Sequence, residues 1–373
     1  MANLVIWLIV CSLSACGAEK PPDSWGPVVS LSHLGVVICF KSNPNEEAWL
    51  EIWDDQGETT NRIYTKTDAK GLFHVGISEL RPGICYYYRV CQFDGNCTDI
   101  GRFFTPPTLG TFLPFTFLVY GDTQSNNYIH RNVAAAMSHE FASFAVLVGD
   151  SVETPIDDEW NKFFECGAPL FKSMLFFAVL GNHEQNSRFY YDFYEFPKGG
   201  GKDGDEWWAF RWDDVLFVGL DSNLQYLSAA NFAGFEAETR WLETVLNQEA
   251  RYKFVFFHHP PFCSHPWANI ALAEAWATLF ERHHVTAVFN GHIHYYEHIV
   301  KNDVHYFITG GGSNPSSQLR VPRTDGSVCG IQGIPHYLRV TVQQESVTIE
   351  MVAVDGLSGS TVTMDFVQIF KGK

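Results

Sequence analysis

Positive charge is scarce in this chain. Its 373 residues carry 25 Lys and Arg against 42 Asp and Glu, a formal net charge of −17 with the histidines neutral. That balance argues against nucleic acid or an anionic lipid surface as the main partner. An anionic substrate would need something local and positive to attract it, which bound metal ions supply. Long apolar runs are missing too: none reaches the length of a membrane-spanning helix. No CxxC zinc pattern occurs, and no internal repeat. What the chain has in quantity is apolar residues, 46% against 18% charged, which indicates a globular protein with a large core and more than one domain.

The first residues have the shape of an export signal. Leu4 to Leu13 is apolar, of signal-peptide length and too short to cross a bilayer. It leads into Leu13-Ser14-Ala15-Cys16, which resembles a bacterial lipobox, where small residues precede a cysteine that is lipidated after cleavage. The expectation is a signal peptide over 1–15, Cys16 as a lipidated N-terminus, and membrane contact only through that anchor. Met1-Ala2-Asn3 departs from the pattern in lacking Lys and Arg, and an ordinary cleaved signal of a secreted protein is the alternative. Residue 17 is Gly, not the Asp that favours inner-membrane retention, so the resemblance leans to the periplasm and outer membrane. Beyond Cys11 and Cys16 an odd number of cysteines remains: Cys39, Cys85, Cys91, Cys97, Cys166, Cys263 and Cys329. Cys91 and Cys97 flank Asp94-Gly95, a hairpin-turn signal, and are expected to be bonded; unpaired core thiols are the alternative.

From about Trp25 to Phe104 the texture is all-β, with short alternating runs at Val36–Phe40, Ala48–Trp53, Leu72–Ile77 and Tyr86–Val90. Leu80 to Tyr88 resembles the tyrosine corner of a fibronectin type III-like sandwich, with Tyr86 as the corner residue. Nothing in this part has catalytic texture, and it reads as a spacer or as a wall beside an active-site cleft. After the linker 105–110 strands alternate with helices, expected at Ile129–Phe141, Glu236–Glu249 and Ile270–His283. The tail returns to strands at Tyr337–Val342, Ser346–Val354 and Val362–Ile369.

Five apolar runs in the second part each deliver an Asp, Asn or His at the tip. They are Phe117–Tyr120 before Gly121-Asp122, Ala145–Val148 before Gly149-Asp150, and Phe176–Leu180 before Gly181-Asn182-His183. Phe254–Phe257 ends on His258, and Thr286–Asn290 on Gly291-His292-Ile293-His294. Oxygen and imidazole donors are metal ligands, and open α/β sheets bind their ligands at the carboxyl ends of strands. One carboxylate shared by two cations would explain why all five tips converge, and Asp150 is the candidate bridge. Singly, each motif is weak; the order and spacing carry the signal.

That series resembles the calcineurin-like metallophosphoesterases, and its flanking residues look most like purple acid phosphatases. Glu297 after His294-Tyr295-Tyr296 and the run Gly310-Gly311-Gly312 fit their pattern, and Arg240-Trp241-Leu242 resembles the opening of the helix they carry before the Val-x-x-His strand. The resemblance implies an α/β fold, a metallophosphoesterase β-sandwich flanked by helices over 112–373, behind a small all-β fibronectin-like sandwich over 25–107. It implies two metal ions (Fe, Zn or Mn), one on Asp122 and His294, the other on Asn182, His258 and His292, bridged by Asp150. Two carboxylates against two such cations leave a net positive site, which attracts phosphate, and metal-bound hydroxide is the implied nucleophile. His183 is the candidate for stabilising the transferring phosphoryl group or protonating the leaving oxygen.

Two positions break the pattern. Glu153 stands where purple acid phosphatases have the Tyr that colours their Fe(III); it is expected to orient His183, with a ligand or a solvated loop residue as alternatives. Gln124 stands where relatives have His or Gly, and is a weak metal ligand at best. His259 is expected behind the ligands, His265 near the substrate, and His298 away from the metals. Tyr190, Tyr191, Trp207, Trp208, Trp267, Tyr295 and Tyr296 wall a pocket for an aromatic leaving group or else pack the core. The implied activity is hydrolysis of small phosphomonoesters; a phosphodiesterase or nucleotidase, and a non-catalytic binding lipoprotein, are the alternatives.

Overall fold

Alternation of apolar and polar residues shapes the N-terminal part into two small antiparallel sheets. The computed structural model describes residues 24–371 apart from 34, 58–60, 94 and 224–228, and at 61, 203 and 229–232 it describes the backbone alone. The expected signal peptide and Cys16 therefore lie outside the described residues. Seven strands come first: β1 (Trp25–Ser32), β2 (Gly35–Lys41), β3 (Glu47–Asp54), β4 (Asn61–Lys66), β5 (Leu72–Ile77), β6 (Cys85–Gln92) and β7 (Gly101–Phe104). They form a three-stranded sheet in the order β1-β2-β5 and a four-stranded sheet in the order β4-β3-β6-β7. The Tyr86 hydroxyl accepts the Arg81 N–H at 3.0 Å, which closes the corner expected there. Cys91 and Cys97 form a disulfide. Among the described residues Cys39, Cys85, Cys166, Cys263 and Cys329 form no disulfide.

The larger part alternates strands and helices before ending in strands. It runs β8 (Phe115–Tyr120), α1 (Asn127–Ser138), β9 (Phe144–Leu147), α2 (Asp157–Phe171), β10 (Leu175–Ala178), α3 (Arg188–Phe193), β11 (Lys198–Gly200), β12 (Trp207–Trp212) and β13 (Val215–Gly219). There follow α4 (Ala229–Leu246), β14 (Lys253–Phe256), β15 (Ala287–Asn290), β16 (Tyr296–Lys301), β17 (Val304–Thr309), β18 (Ser327–Ile331), β19 (His336–Val342), β20 (Ser346–Val354) and β21 (Thr361–Phe370). Two mixed sheets result, a six-stranded one in the order β10-β9-β8-β19-β20-β21 and an eight-stranded one in the order β11-β12-β13-β14-β15-β17-β16-β18. Among the described residues no helix is long and apolar enough to cross a membrane.

Period two explains how the sheets pack. On β13 to β15, Phe217, Phe254, Phe256 and Phe289 point into the core between the sheets, while Leu216, Val218, Val255 and Val288 point to the helices outside. The inner layer is a stack of rings: Phe117 on Phe144 at 5.2 Å, Phe210 on Phe217 at 5.0 Å, Phe256 on Phe289 at 5.2 Å. On the other side Leu242 and Leu246 of α4 join Trp276 and Phe280.

The elements depart from expectation in places. The helix expected from Glu236 begins at Ala229, so Arg240 lies in its middle and opens nothing. The one expected at Ile270–His283 comes in pieces: α-helical over Ile270–Leu272 and Thr278–Arg282, with a π-turn over Ala273–Ala277. Helix α2 was not legible, because its buried face is Trp160, Phe163, Phe164 and Phe171, and Gly167 and Pro169 read as breakers. The small β part is more than a spacer. Trp25 stacks on Phe164 at 3.9 Å and meets Phe193 edge-on at 5.2 Å, and Lys41 bonds Asp157 at 3.1 Å and Asn161 at 3.2 Å. Its buried residues belong to the same apolar cluster as the core between the large sheets.

Candidate metal centre

Parallel pairing puts the decisive strand ends on one side of the molecule. β8, β9 and β10 run parallel in one sheet, and β13, β14, β15 and β17 in the other. The backbone then turns sharply. Asp122, Asp150 and His292 have φ of +61°, +57° and +69°, a conformation that non-glycine residues adopt at a cost of about 1–2 kcal/mol each. Between strand and carboxylate, Gly149 has φ +89°, and a Cβ there would sit 2.7 Å from His258 Nδ1 and 2.9 Å from Gly181 N. Only glycine lets the two sheets' loops approach this closely.

The six expected ligands meet. Asp150 Oδ2 lies 3.1 Å from His258 Nε2, and Asn182 Oδ1 lies 3.2 Å from the same nitrogen. Asp122 Oδ1 is 3.4 Å from His294 Nε2, and the Asp122 carboxylate accepts the His292 N–H at 2.9 and 3.1 Å. Ligand atoms of Asp122, Asp150 and His258 all lie within 4.8 Å of one another. The imidazole of His258 is oriented from behind: its Nδ1–H donates to the Val148 carbonyl at 2.8 Å, which leaves Nε2 facing the cluster.

Charge tests whether cations fit. Asp122 and Asp150 are 1% and 2% exposed, and among the described residues their ion-pair partners are histidines alone. Buried carboxylates need a positive partner or a metal. Burial opposes ionisation of Asp150, yet His258 and His183 pull its pKa below the carboxylate range. Burial likewise works against the charge on His258, and Asp150 more than reverses it, lifting the pKa to about 9. Positive charge at this spot is therefore favoured, and a cation would supply it. Beside it the Gln124 Oε1 is buried with no hydrogen-bond partner among the described residues. Two carboxylates, one amide and three imidazoles are donors suited to divalent first-row metals, so the residues fit a metal centre.

Other expected site residues sit as follows. His183 lies beside Asp150, its N–H donating to Oδ1 at 2.9 Å and its Nε2 4.0 Å from Oδ2. Glu153 does meet His183, but through its main chain: His183 Nδ1–H donates to the Glu153 carbonyl at 2.7 Å, whereas the exposed carboxylate stays 3.7 Å away. A carboxylate in water gains little from a partial contact, and the carbonyl fixes the ring without it. Gln124 donates Nε2–H to Asp150 Oδ2 at 3.1 Å. His265 stands against Trp267 with ring centres 4.7 Å apart. His298 turns away and bonds His305 at 2.9 Å.

Several residues that hold the centre were not singled out from the sequence. Glu184, fully buried, accepts the N–H groups of Gly181 at 2.8 Å, Asp150 at 3.1 Å and Ser151. Asn223 donates Nδ2–H to the Gly181 carbonyl at 2.7 Å and to Asn186 Oδ1 at 3.0 Å, and Asn186 in turn donates to Asp221. Burial lifts the Asp221 carboxyl to about 7. His259, expected behind the ligands, bonds Ser222 Oγ at 2.8 Å and still offers a ring atom within 4.8 Å of those of His258 and His292. Position in the Gly-Asn-His-Glu run was the only available signal for Glu184. Asn186, Asp221 and Asn223 had none, because the bonds that join them cross from one loop to another.

Residues 115–296 match the family model Calcineurin-like phosphoesterase, and the fold and the centre agree with that match. Purple acid phosphatases are among its relatives. The chain is 27% identical over 261 residues to Purple acid phosphatase 21 of Arabidopsis thaliana, covering 65% of this chain and 56% of the relative. Among solved structures it resembles the purple acid phosphatase PPD1 of yellow lupin seeds, with TM-score 0.74, 13% identity, and 92% of this chain against 74% of that one. It also resembles PhoD, with TM-score 0.73, 14% identity, and 94% against 89%. The chain spans under two thirds of the length of the first curated relatives it matches.

Proposed function

We propose that this protein is a metal-dependent phosphoric ester hydrolase acting on phosphomonoesters of small molecules. The observation that carries the reading is the closure of six donor side chains, from five strand tips, around two buried carboxylates without a Lys or Arg partner among the described residues. Asp122 and His294 would hold one cation, Asn182, His258 and His292 a second, with Asp150 between them; Fe, Zn and Mn all suit this set. Such cations supply Lewis acidity toward the phosphoryl oxygens and offset the charge that develops on them.

The chain's own groups do the rest. Asp150 is fixed on one side by the His183 N–H and on the other by Gln124 and His258. His183, with Nδ1–H committed to the Glu153 carbonyl, presents Nε2 as the group that holds a proton for the departing alcohol oxygen. Burial lowers its pKa, but Asp150 and the Glu153 carbonyl outweigh that and raise it. Relatives named purple acid phosphatase and phosphoenolpyruvate phosphatase support a monoester substrate. We read the small β part as fibronectin type III-like, and the chain as an exported lipoprotein anchored at Cys16. Assay of the purified protein on an aryl phosphate monoester and an aryl diester, with Fe, Zn or Mn added, tests the activity. Preference for the diester would replace monoesterase by diesterase, and metal binding with neither activity would leave a binding protein.

A further inference from the structure

The aromatic side chains around the centre divide into two groups. Tyr190, Trp207, Trp208, Tyr295 and Tyr296 are buried in the core, and Tyr191 is tied to Glu206 at 2.8 Å. Trp267 differs: it is 58% exposed, 5.5 Å ring to ring from His292 and 4.7 Å from His265. The loop that carries it is pinned from behind. Ser264 donates its N–H to Glu297 at 2.8 Å and its hydroxyl to the same buried carboxylate, and Thr324 N–H bonds the Ser264 oxygen at 2.8 Å. Asn269 N–H closes the loop on the Pro260 carbonyl at 2.9 Å.

An indole left open to water gains little from burial, so core formation does not account for its position. What the pinned loop offers is a largely exposed indole held beside a candidate metal ligand, a flat apolar surface with only two rotatable side-chain bonds. We propose that Trp267 is the stacking surface for the leaving group, and that the site prefers phosphate esters of planar aromatic groups over those of open-chain alcohols. The shared chemistry is a flat π-system in the leaving alcohol, joined directly to the ester oxygen in an aryl phosphate and through the ribose in a nucleotide. This deepens the hydrolase reading and rests on it.

Steady-state kinetics of the metal-loaded protein on phenyl phosphate, a nucleoside 5′-monophosphate and glycerol phosphate provide the test, with Trp267→Ala and Trp267→Phe. Trp267→Ala should raise KM about three- to tenfold for the first two, the range of a lost aromatic pair, with kcat within about twofold. KM for glycerol phosphate should stay put, and Trp267→Phe should restore most of the preference. A response of only one aromatic substrate supports stacking and names its source. Equal changes for all three substrates, or none, would overturn the proposal. Calorimetric titration with phenylphosphonate and methylphosphonate separates the two readings. Were no substrate hydrolysed, the hydrolase reading would fall, while loss of a phenyl preference in Trp267→Ala would still support stacking and its absence would refute it.

Discussion

Replacing Glu184 by Gln should unseat the centre without touching a ligand. The wild-type carboxylate is wholly buried and receives three main-chain N–H groups, from Gly181, Asp150 and Ser151. Burial and the neighbouring Asp150 charge raise its pKa, while the Ser151 hydrogen bond works the other way. All three main-chain partners are donors, so the ionised form is the one the cradle fits. An amide has one acceptor oxygen; wherever it points, its NH2 faces at least one N–H donor. One buried N–H left unpaired costs about 1–3 kcal/mol, and exchanging charge-assisted bonds for neutral ones adds about 1 kcal/mol more. A loss of about 2–4 kcal/mol is therefore expected in denaturant unfolding. Because the same N–H groups set the loops carrying Asp150 and Asn182, metal affinity or activity should also drop about 10- to 100-fold. Unfolding curves and metal content after dialysis read both effects. Stability and metal content equal to wild type would refute the cradle argument.

Other outcomes follow from the same geometry. His130 is fully buried, stacked on Phe163, and burial pushes its pKa from 6.5 down to about 3. Its folded pKa lies below the unfolded one, so its stability contribution is complete above pH 6.5 and drains away as pH falls toward 3. At pH 5 that is about 2 kcal/mol, which His130→Phe should abolish in urea titrations compared at pH 7 and 5. Gly149→Ala should cost about 1–2 kcal/mol from backbone conformation alone, and also displace His258, so metal content and activity should fall together. Chelation should abolish hydrolysis and readdition of a divalent metal restore it. With Glu at 153, the reloaded protein should show no tyrosinate charge-transfer band in its visible spectrum.

The sequence was most informative where one strand supplies both a buried run and the residue at its tip. Asp122, Asp150, Asn182, His258, His292 and His294 could be named because they follow five apolar strands, the last two sharing one, and the structure brings them together. Strands of the β part and the tail were legible from alternation, and β5 and β20 fall on the expected residues. Helix α2 was hidden because its aromatic face has no strong helix preference and depends on packing against α1 and β1. Glu153 was read as a side-chain partner of His183; its carbonyl makes the 2.7 Å hydrogen bond and its carboxylate stands 3.7 Å from the same nitrogen. Nothing in a linear pattern distinguishes the two. Asn223 and Asp221 were invisible for a related reason: their contacts join segments some 35–42 positions apart.

The indole of Trp25, wedged against Phe164 and Phe193, has a consequence for anyone dissecting this molecule. Cutting at the 105–110 stretch would sever the polypeptide where it looks weakest, yet leave each fragment with a raw apolar scar. The two parts should melt as one, and a catalytic fragment expressed without its leading strands should aggregate rather than work.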